Sequence, residues 1–394
     1  MTDTIAAGAD QRLAKPDDRP TRPYFSSGPC AKPPGWLPQS LDTGALGRSH
    51  RGALGKAKLQ DAIERTHALL GLPADYRLGI VPASDTGAME MAIWSLLGPR
   101  PVTMLAWESF GAGWVTDVAK QLKLDAEVRT ADYGVMPDLD GIDPASDIVF
   151  TWNGTTSGVR VSNADWIADD RTGLSICDAT SAAFAQHIEW AKIDVGTFSW
   201  QKALGGEAAH GMIVLSPRAV ERLEREPAPR PLPKIFRLTA PAPAKAGGKL
   251  IEGVFKGETI NTPSMLCVED WLFAVGWAER VGGLKGLIAR ADANAAALDR
   301  WVQSAGWIEH LADDPAIRSN TSVCLQFADR SDLEANKARQ KAIAKLLDAE
   351  DAAYDIGAYR DAPPGLRIWC GATVDTADIE ALGRWLDWAW EMTA

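Results

Sequence analysis

Residues 174–215 read LSICDATSAAFAQHIEWAKIDVGTFSWQKALGGEAAHGMIVL, and three short apolar runs, LSICDAT, VGTFSWQK and HGMIVLS, stand out in it and just beyond. Apolar runs of four to six residues, ended by Asp, Ser or Gly, are the mark of strands buried on both faces of a covered sheet. Working upstream, DIVFTWN, AEVRTAD, VTMLAW and LGIVPAS repeat the pattern. Helix-period stretches such as WVTDVAKQL, TGAMEMAIWSLLG and KLQDAIERTHALLGL lie between them. Alternating strands and helices require long crossovers between parallel strands, so the expected fold class is α/β with a mostly parallel sheet.

Downstream the pattern changes. The segment 227–248, PAPRPLPKIFRLTAPAPAKAGG, is dense in proline and carries neither helix nor strand period; it reads as a loop or lid over a site. A long helical run from Met265 to about Trp301 follows and bridges to a smaller domain. The chain closes on DIEALGRWLDWAWEM, where Ile379, Leu382, Leu386 and Ala389 form one helical stripe, as a packed terminal helix does. The domain expectation is therefore a polar, mobile arm over 1–20, a large domain over 21–285 and a small carboxy-terminal α+β domain over 286–394.

Composition limits the function classes. The 394 residues carry 41 Lys and Arg against 52 Asp and Glu, a formal charge of -11, so the overall field repels nucleic acid and anionic membrane surfaces. Five scattered cysteines, Cys30, Cys177, Cys267, Cys324 and Cys370, form neither a C-x-x-C pair nor a metal-ligand spacing, and read as reduced core thiols. The amino terminus lacks the apolar core of a signal peptide and no run suits a bilayer span, which places the chain in the cytoplasm.

The chemistry sits at strand ends. Lys202 follows VGTFSWQ at the lip of a buried strand, where charging an amine is unfavourable and the neutral form can make a Schiff base. Asp178 ends LSICD; ligands of open α/β sheets bind beyond the carboxyl ends of strands, so the two side chains can face one pocket, with the carboxylate holding a pyridine nitrogen protonated. Ser84, Asp85 and Thr86 open a helix whose free N–H groups suit a phosphate. Trp107 ends VTMLAW with a flat ring for stacking, and Thr155 follows DIVFTWNG with a hydroxyl. Taken singly, each has an ordinary reading: a solvated lysine, a capping aspartate, a capped helix, a core indole, a turn threonine. Five such features in this chain order point to one cofactor pocket.

The set SHRGA (49–53), NGTTSGV (153–159), CDATSA (177–182), WQKALGG (200–206), NTPS (261–264) and YRDAPPGLRI (359–368) resembles the phosphoserine aminotransferases, over nearly the whole chain from about Tyr24. The resemblance implies the fold type I of pyridoxal-phosphate-dependent transferases, with a seven-stranded sheet, and a homodimer with shared active sites. It implies pyridoxal 5'-phosphate as cofactor, with Lys202 as its covalent and catalytic lysine and Asp178 as the pyridinium partner. Trp107 would stack and Thr155 would contact the ring hydroxyl. Ser84, Asp85, Thr86 and Gln201 fall at the cofactor phosphate, as do Asn261 and Thr262, which in this family reach across from the other subunit. His50 and Arg51 match the pair for the substrate phosphate, Arg360 a second phosphate ligand and Arg367 the arginine for the α-carboxylate. The implied reaction moves an amino group from glutamate to 3-phosphohydroxypyruvate, the middle step of serine synthesis; a role in pyridoxine synthesis is left open.

Two departures from the family pattern stand out. Asp85 occupies a turn that often carries an arginine for the cofactor phosphate, so it must turn away or cap the helix. Tyr359 precedes Arg360 where a histidine is usual. The rivals are a glyoxylate aminotransferase, which has no use for His50 and Arg51, and a cysteine desulfurase, which needs a cysteine on an active-site loop, whereas Cys324 and Cys370 lie in strand-like runs. A non-catalytic protein of this fold would be expected to lose Lys202 or Asp178.

Overall fold

The structure is a computed structural model, and it describes residues 13–242 and 247–393. In chain order the large domain holds α1 (Ala53–Leu70), β1 (Arg77–Pro82), α2 (Ser84–Leu96), β2 (Val102–Ala106), α3 (Ser109–Thr116), β3 (Ala126–Thr130) and β4 (Asp147–Thr151). A hairpin of β5 (Asn153–Gly154) and β6 (Val159–Arg160) leads on to β7 (Ser175–Asp178), β8 (Val195–Ser199), β9 (His210–Leu215) and α4 (Pro217–Arg225). The seven expected strands are all present in one sheet of order β1-β9-β8-β7-β4-β2-β3. Pairing is parallel from β3 to β8, and β9 is antiparallel to both of its neighbours. β2, β4, β7, β8 and β9 are buried along their whole length, which is why they carry no polar alternation.

The run expected as one helix from Met265 to about Trp301 is two, α5 (Met265–Arg280) and α6 (Gly283–Ala305). Gly282 and Gly283 both lie at positive φ, 103° and 63°, and break the helix between them. The small domain adds β10 (Ile308–His310), β11 (Ser322–Phe327), α7 (Leu333–Ala349), β12 (Gly365–Trp369) and α8 (Thr376–Met392), with β11 central in an antiparallel three-stranded sheet. Its tryptophans are core: Trp307 stacks on Trp390 at 4.5 Å, and Asp387 accepts hydrogen bonds from both the Trp301 and Trp307 indoles. The Ile379, Leu382, Leu386 and Ala389 stripe of α8 is buried as patterned.

Residues 1–12 of the expected arm lie outside the described residues. From Leu13 on, the chain lies along the small domain rather than extending from it: the Leu13 N–H donates to Glu391 and the Trp385 indole donates to the Asp18 carbonyl. Of the proline-rich segment, 243–246 lie outside the described residues; the rest forms a short 3-10 turn at Lys234–Phe236 and a bridge between Thr239 and Leu250. Among the described residues no helix is long and apolar enough to cross a membrane, and no cluster of His, Cys, Asp and Glu could hold a metal ion.

Candidate active site

The carboxyl ends of β2, β4, β7 and β8 open into a cavity of about 660 Å³. It brings together Ser84, Asp85, Thr86, Trp107, Thr155, Asp178, Gln201, Lys202 and Arg360 from the residues read in the sequence. They meet because parallel strands end on one edge, and the residue after each strand is placed on that edge whatever the length of the crossover between strands.

Lys202 follows β8 on the tight turn 200–206, where Gly205 at φ 65° lets the backbone pass the Ala31 carbonyl; a Cβ there would stand 2.0 Å from that oxygen. Beneath the turn Trp200 stacks on Trp271 at 5.3 Å, both fully buried. Each indole removes on the order of 200 Å² from water, worth up to about 5 kcal/mol, so the lysine stands on a rigid base. The Lys202 Nζ donates to the Ser27 carbonyl beside Gly28. Burial, aided by the positive charge of Arg367, lowers the amine's proton affinity, and Asp178 and Glu108 only partly oppose this.

Asp178 is 5% exposed, and both of its oxygens are engaged: Oδ1 accepts the Thr180 N–H at 3.0 Å and Oδ2 the Trp114 indole N–H at 3.2 Å. Trp114 was not singled out in the sequence, because nothing along the chain shows that α3 lays it over the end of β7. Trp107 is held in plane by its own indole, which donates to the Val159 carbonyl at 3.2 Å. Next to it Glu108 caps α3, accepting from the Gly111 N–H at 2.7 Å and the Thr156 hydroxyl at 2.8 Å. Burial pushes its carboxyl up to about 7. Thr155 lies within hydrogen-bonding distance of Ser181 Oγ at 2.8 Å, and the Ser181 hydroxyl donates to the Asn153 carbonyl.

The turn before α2 is unusual. Ala83 and Ser84 both take left-handed backbone conformations, φ 67° and 58°, and no side chain caps the helix. Asp85 therefore does not cap; it is buried in the lining of the cavity beside Asp178, Thr180 and Thr197. Several buried polar atoms around the cavity, Asp85 Oδ1, Thr151 Oγ1, Thr180 Oγ1 and Gln201 Oε1, have no hydrogen-bond partner. Unpartnered buried polar atoms are rare in native interiors and suit a polar ligand. With a flat indole, a poised amine and a fixed carboxylate, these groups fit a phosphorylated pyridine aldehyde.

Arg367 lies on β12 opposite Cys324, and its charge acts on Lys202 and Cys30. Its buried Nε has no partner and its guanidinium sits 5.4 Å from the Tyr359 ring, which also packs on Phe110. The Tyr359 ring thus flanks the Arg367 guanidinium. Arg360 is exposed and pairs with Asp361, which also accepts from Ser109. Cys324 and Cys370 are buried with thiols pushed well up by burial, as core residues.

Five expected residues do not line this cavity: Arg367, whose charge reaches Lys202 from β12, and His50, Arg51, Asn261 and Thr262. His50 and Arg51 line a second cleft of about 500 Å³ with Lys56, Lys234, Arg237 and Thr259. Asn261 and Thr262 follow at the exposed end of the same segment. The described part of the proline-rich segment borders this cleft, not the lysine cavity. Burial and the Arg51 charge hold the His50 imidazole below its usual range.

No model of a protein family matches the chain. It is 55% identical over 379 residues to the phosphoserine aminotransferase of Methanosarcina mazei, covering 96% of this chain and 99% of that one. Among solved structures, the phosphoserine aminotransferase of Bacillus circulans subsp. alkalophilus superposes with a TM-score of 0.77 at 19% identity, covering 95% and 99% of the two chains. The pyridoxal-phosphate-bound enzyme of Trichomonas vaginalis gives 0.74 at 18% identity, covering 93% and 99%. The structural likenesses establish the shared fold, and the near full-length identity goes further: the chain belongs to the phosphoserine aminotransferase family.

Proposed function

We propose that the cavity binds pyridoxal 5'-phosphate and that the protein transfers the amino group of glutamate to 3-phosphohydroxypyruvate, giving O-phosphoserine and 2-oxoglutarate in serine biosynthesis. The observation that carries this reading is the enclosed Lys202 amine set across from the doubly hydrogen-bonded Asp178 carboxylate, among unpartnered polar atoms. When bound, the cofactor ring supplies an electron sink for charge developing at the substrate α-carbon. Lys202, whose burial disfavours the charged amine, would be both the anchor and the base that carries the proton from and to that carbon. Asp178 would hold the ring nitrogen, Trp107 would cover a ring face, and Thr155 would meet the ring hydroxyl. The α2 N–H groups, with the Ser84 and Thr86 hydroxyls and Gln201, take the phosphate. Arg367, resting on Tyr359, grips the α-carboxylate common to both substrates, and Arg360 exchanges Asp361 for substrate phosphate.

His50 and Arg51 line one cationic cleft away from Lys202 in the same chain, and Asn261 and Thr262 lie exposed just beyond Ile260 of that lining. This grouping supports a homodimer in which they serve the partner's cavity, and a cytoplasmic location is in keeping with the substrates. Mixing Lys202→Ala with Arg51→Ala chains tests it: hybrids regain activity if Arg51 acts across the interface and stay inactive if it acts within its own chain. The reaction is tested on the purified holoprotein by absorption. Glutamate should bleach the yellow band and 3-phosphohydroxypyruvate should restore it; restoration by glyoxylate or pyruvate alone would refute the substrate assignment.

A further inference from the structure

The proposed mechanism leaves one buried acid without a task. Asp85 is 7% exposed, and the double left-handed turn at Ala83 and Ser84 carries it to the ends of β7 and β8. There it meets Asp178 and the hydroxyls of Thr180 and Thr197, while its Oδ1 and the Thr180 Oγ1 have no hydrogen-bond partner. Among the described residues neither carboxyl has a Lys or Arg within ion-pair distance.

Two carboxyls lining one cavity disfavour each other's ionisation. The two are not equivalent. Asp178 receives two N–H donors, from Thr180 and Trp114, which stabilise a carboxylate. Asp85 has no N–H donor among the described residues: the nearby Thr180 hydroxyl is unpartnered, the Thr197 hydroxyl donates to the Met89 sulfur at 3.7 Å, and the Asp85 Oδ1 is unpartnered. Its burial and the neighbouring Asp178 charge both favour the acid form, against weaker opposition from Thr197 and Thr180. The acid form is therefore the favoured one at Asp85.

We propose that Asp85 is a positioning residue: as a neutral acid it shares its proton with Asp178, fixing that carboxylate as the single anion at the ring-nitrogen side of the pocket. The inference rests on the cofactor reading above for its purpose but not for its test. It also accounts for an acidic residue in the first turn of the helix expected to hold a phosphate, since an uncharged Asp85 does not repel the anion. The amide of Asn can donate as the acid does, whereas Ala cannot.

The first measurement uses apoprotein and no substrate. Infrared difference spectra at pH 7 should contain a protonated-carboxyl band that is lost in Asp85→Asn and retained in Glu108→Gln. A band lost only in Glu108→Gln, or no band in wild type, overturns the proposal. If Asp85→Asn does not fold, the carbon NMR titration of aspartate-labelled wild type decides: one aspartate carboxyl still protonated at pH 7 is expected, and none refutes it. The positioning role is read in holoprotein from the pH at which the visible band changes. Asp85→Ala, leaving Asp178 without its donor, should raise that pH by about half a unit or more, and Asp85→Asn should restore it. Equal values in wild type and Asp85→Ala would leave Asp85 a packing residue only. A failed half-reaction with these results intact would instead remove the functional reading and keep the pair.

Discussion

Gly28 offers the sharpest test of how Lys202 is placed. At φ 144° its missing side chain leaves the space that the lysine's end occupies: a Cβ there would stand 2.5 Å from Nζ, 3.0 Å from Cε and 3.3 Å from Cδ. Non-bonded heavy atoms settle near 3.5 Å, so in Gly28→Ala the amine must retreat by roughly 1 Å. A displacement of that size at a reacting atom costs on the order of 100-fold in rate. The left-handed backbone also strains alanine by about 1–3 kcal/mol. Single-turnover bleaching of the holoprotein by glutamate should therefore slow by about two orders of magnitude in Gly28→Ala, with a lower melting temperature. Phosphate contacts, which lie on α2, should survive, so inorganic phosphate should still compete for the cofactor site. A variant that bleaches within threefold of wild type would show that Lys202 is not held by its contact with Gly28, and the placement argument would fail.

Other substitutions separate the remaining roles. Arg367→Ala should weaken glutamate and the phosphorylated keto acid alike, by about 2–4 kcal/mol each, because both share the α-carboxylate; selective loss of one substrate in steady-state kinetics would count against that role. Arg51→Ala should weaken the phosphorylated substrate far more than glutamate, and equal losses would remove Arg51 from the phosphate site. His210, buried against Trp200, is lowered by burial from 6.5 to about 4. The unfolded chain then binds more protons between those values, so stability is full above pH 6.5 and falls as pH drops towards 4. At 1.36 kcal/mol per unit the loss is roughly 3 kcal/mol. Denaturant melts of His210→Gln against wild type should show a flatter acid limb; parallel limbs would refute the assignment.

All seven strands of the large sheet were legible along the chain, because a strand covered on both faces must be apolar at every position, a local property. For the same reason Lys202, Asp178, Trp107 and Thr155 could be placed together: each stands at or just beyond the carboxyl end of a strand, and parallel strands share that edge. The break between α5 and α6 was written in Gly282 and Gly283 but masked by the helical period on either side. The sequence alone could not orient Asp85. Its inward turn depends on Ala83 and Ser84 adopting left-handed backbones, which their residue types do not announce, and on strands nearly 100 residues downstream. The Trp114 bond to Asp178 spans 64 residues, and the Tyr359 ring beside Arg367 packs in turn on Phe110, about 250 residues upstream. The separation of His50 and Arg51 from Lys202 is likewise set by how the chain crosses the sheet. Residue type and spacing thus determined the strands and the edge where the chemistry lies; the direction and partners of each charged group were decided by contacts between segments far apart in the chain, which no local pattern encodes.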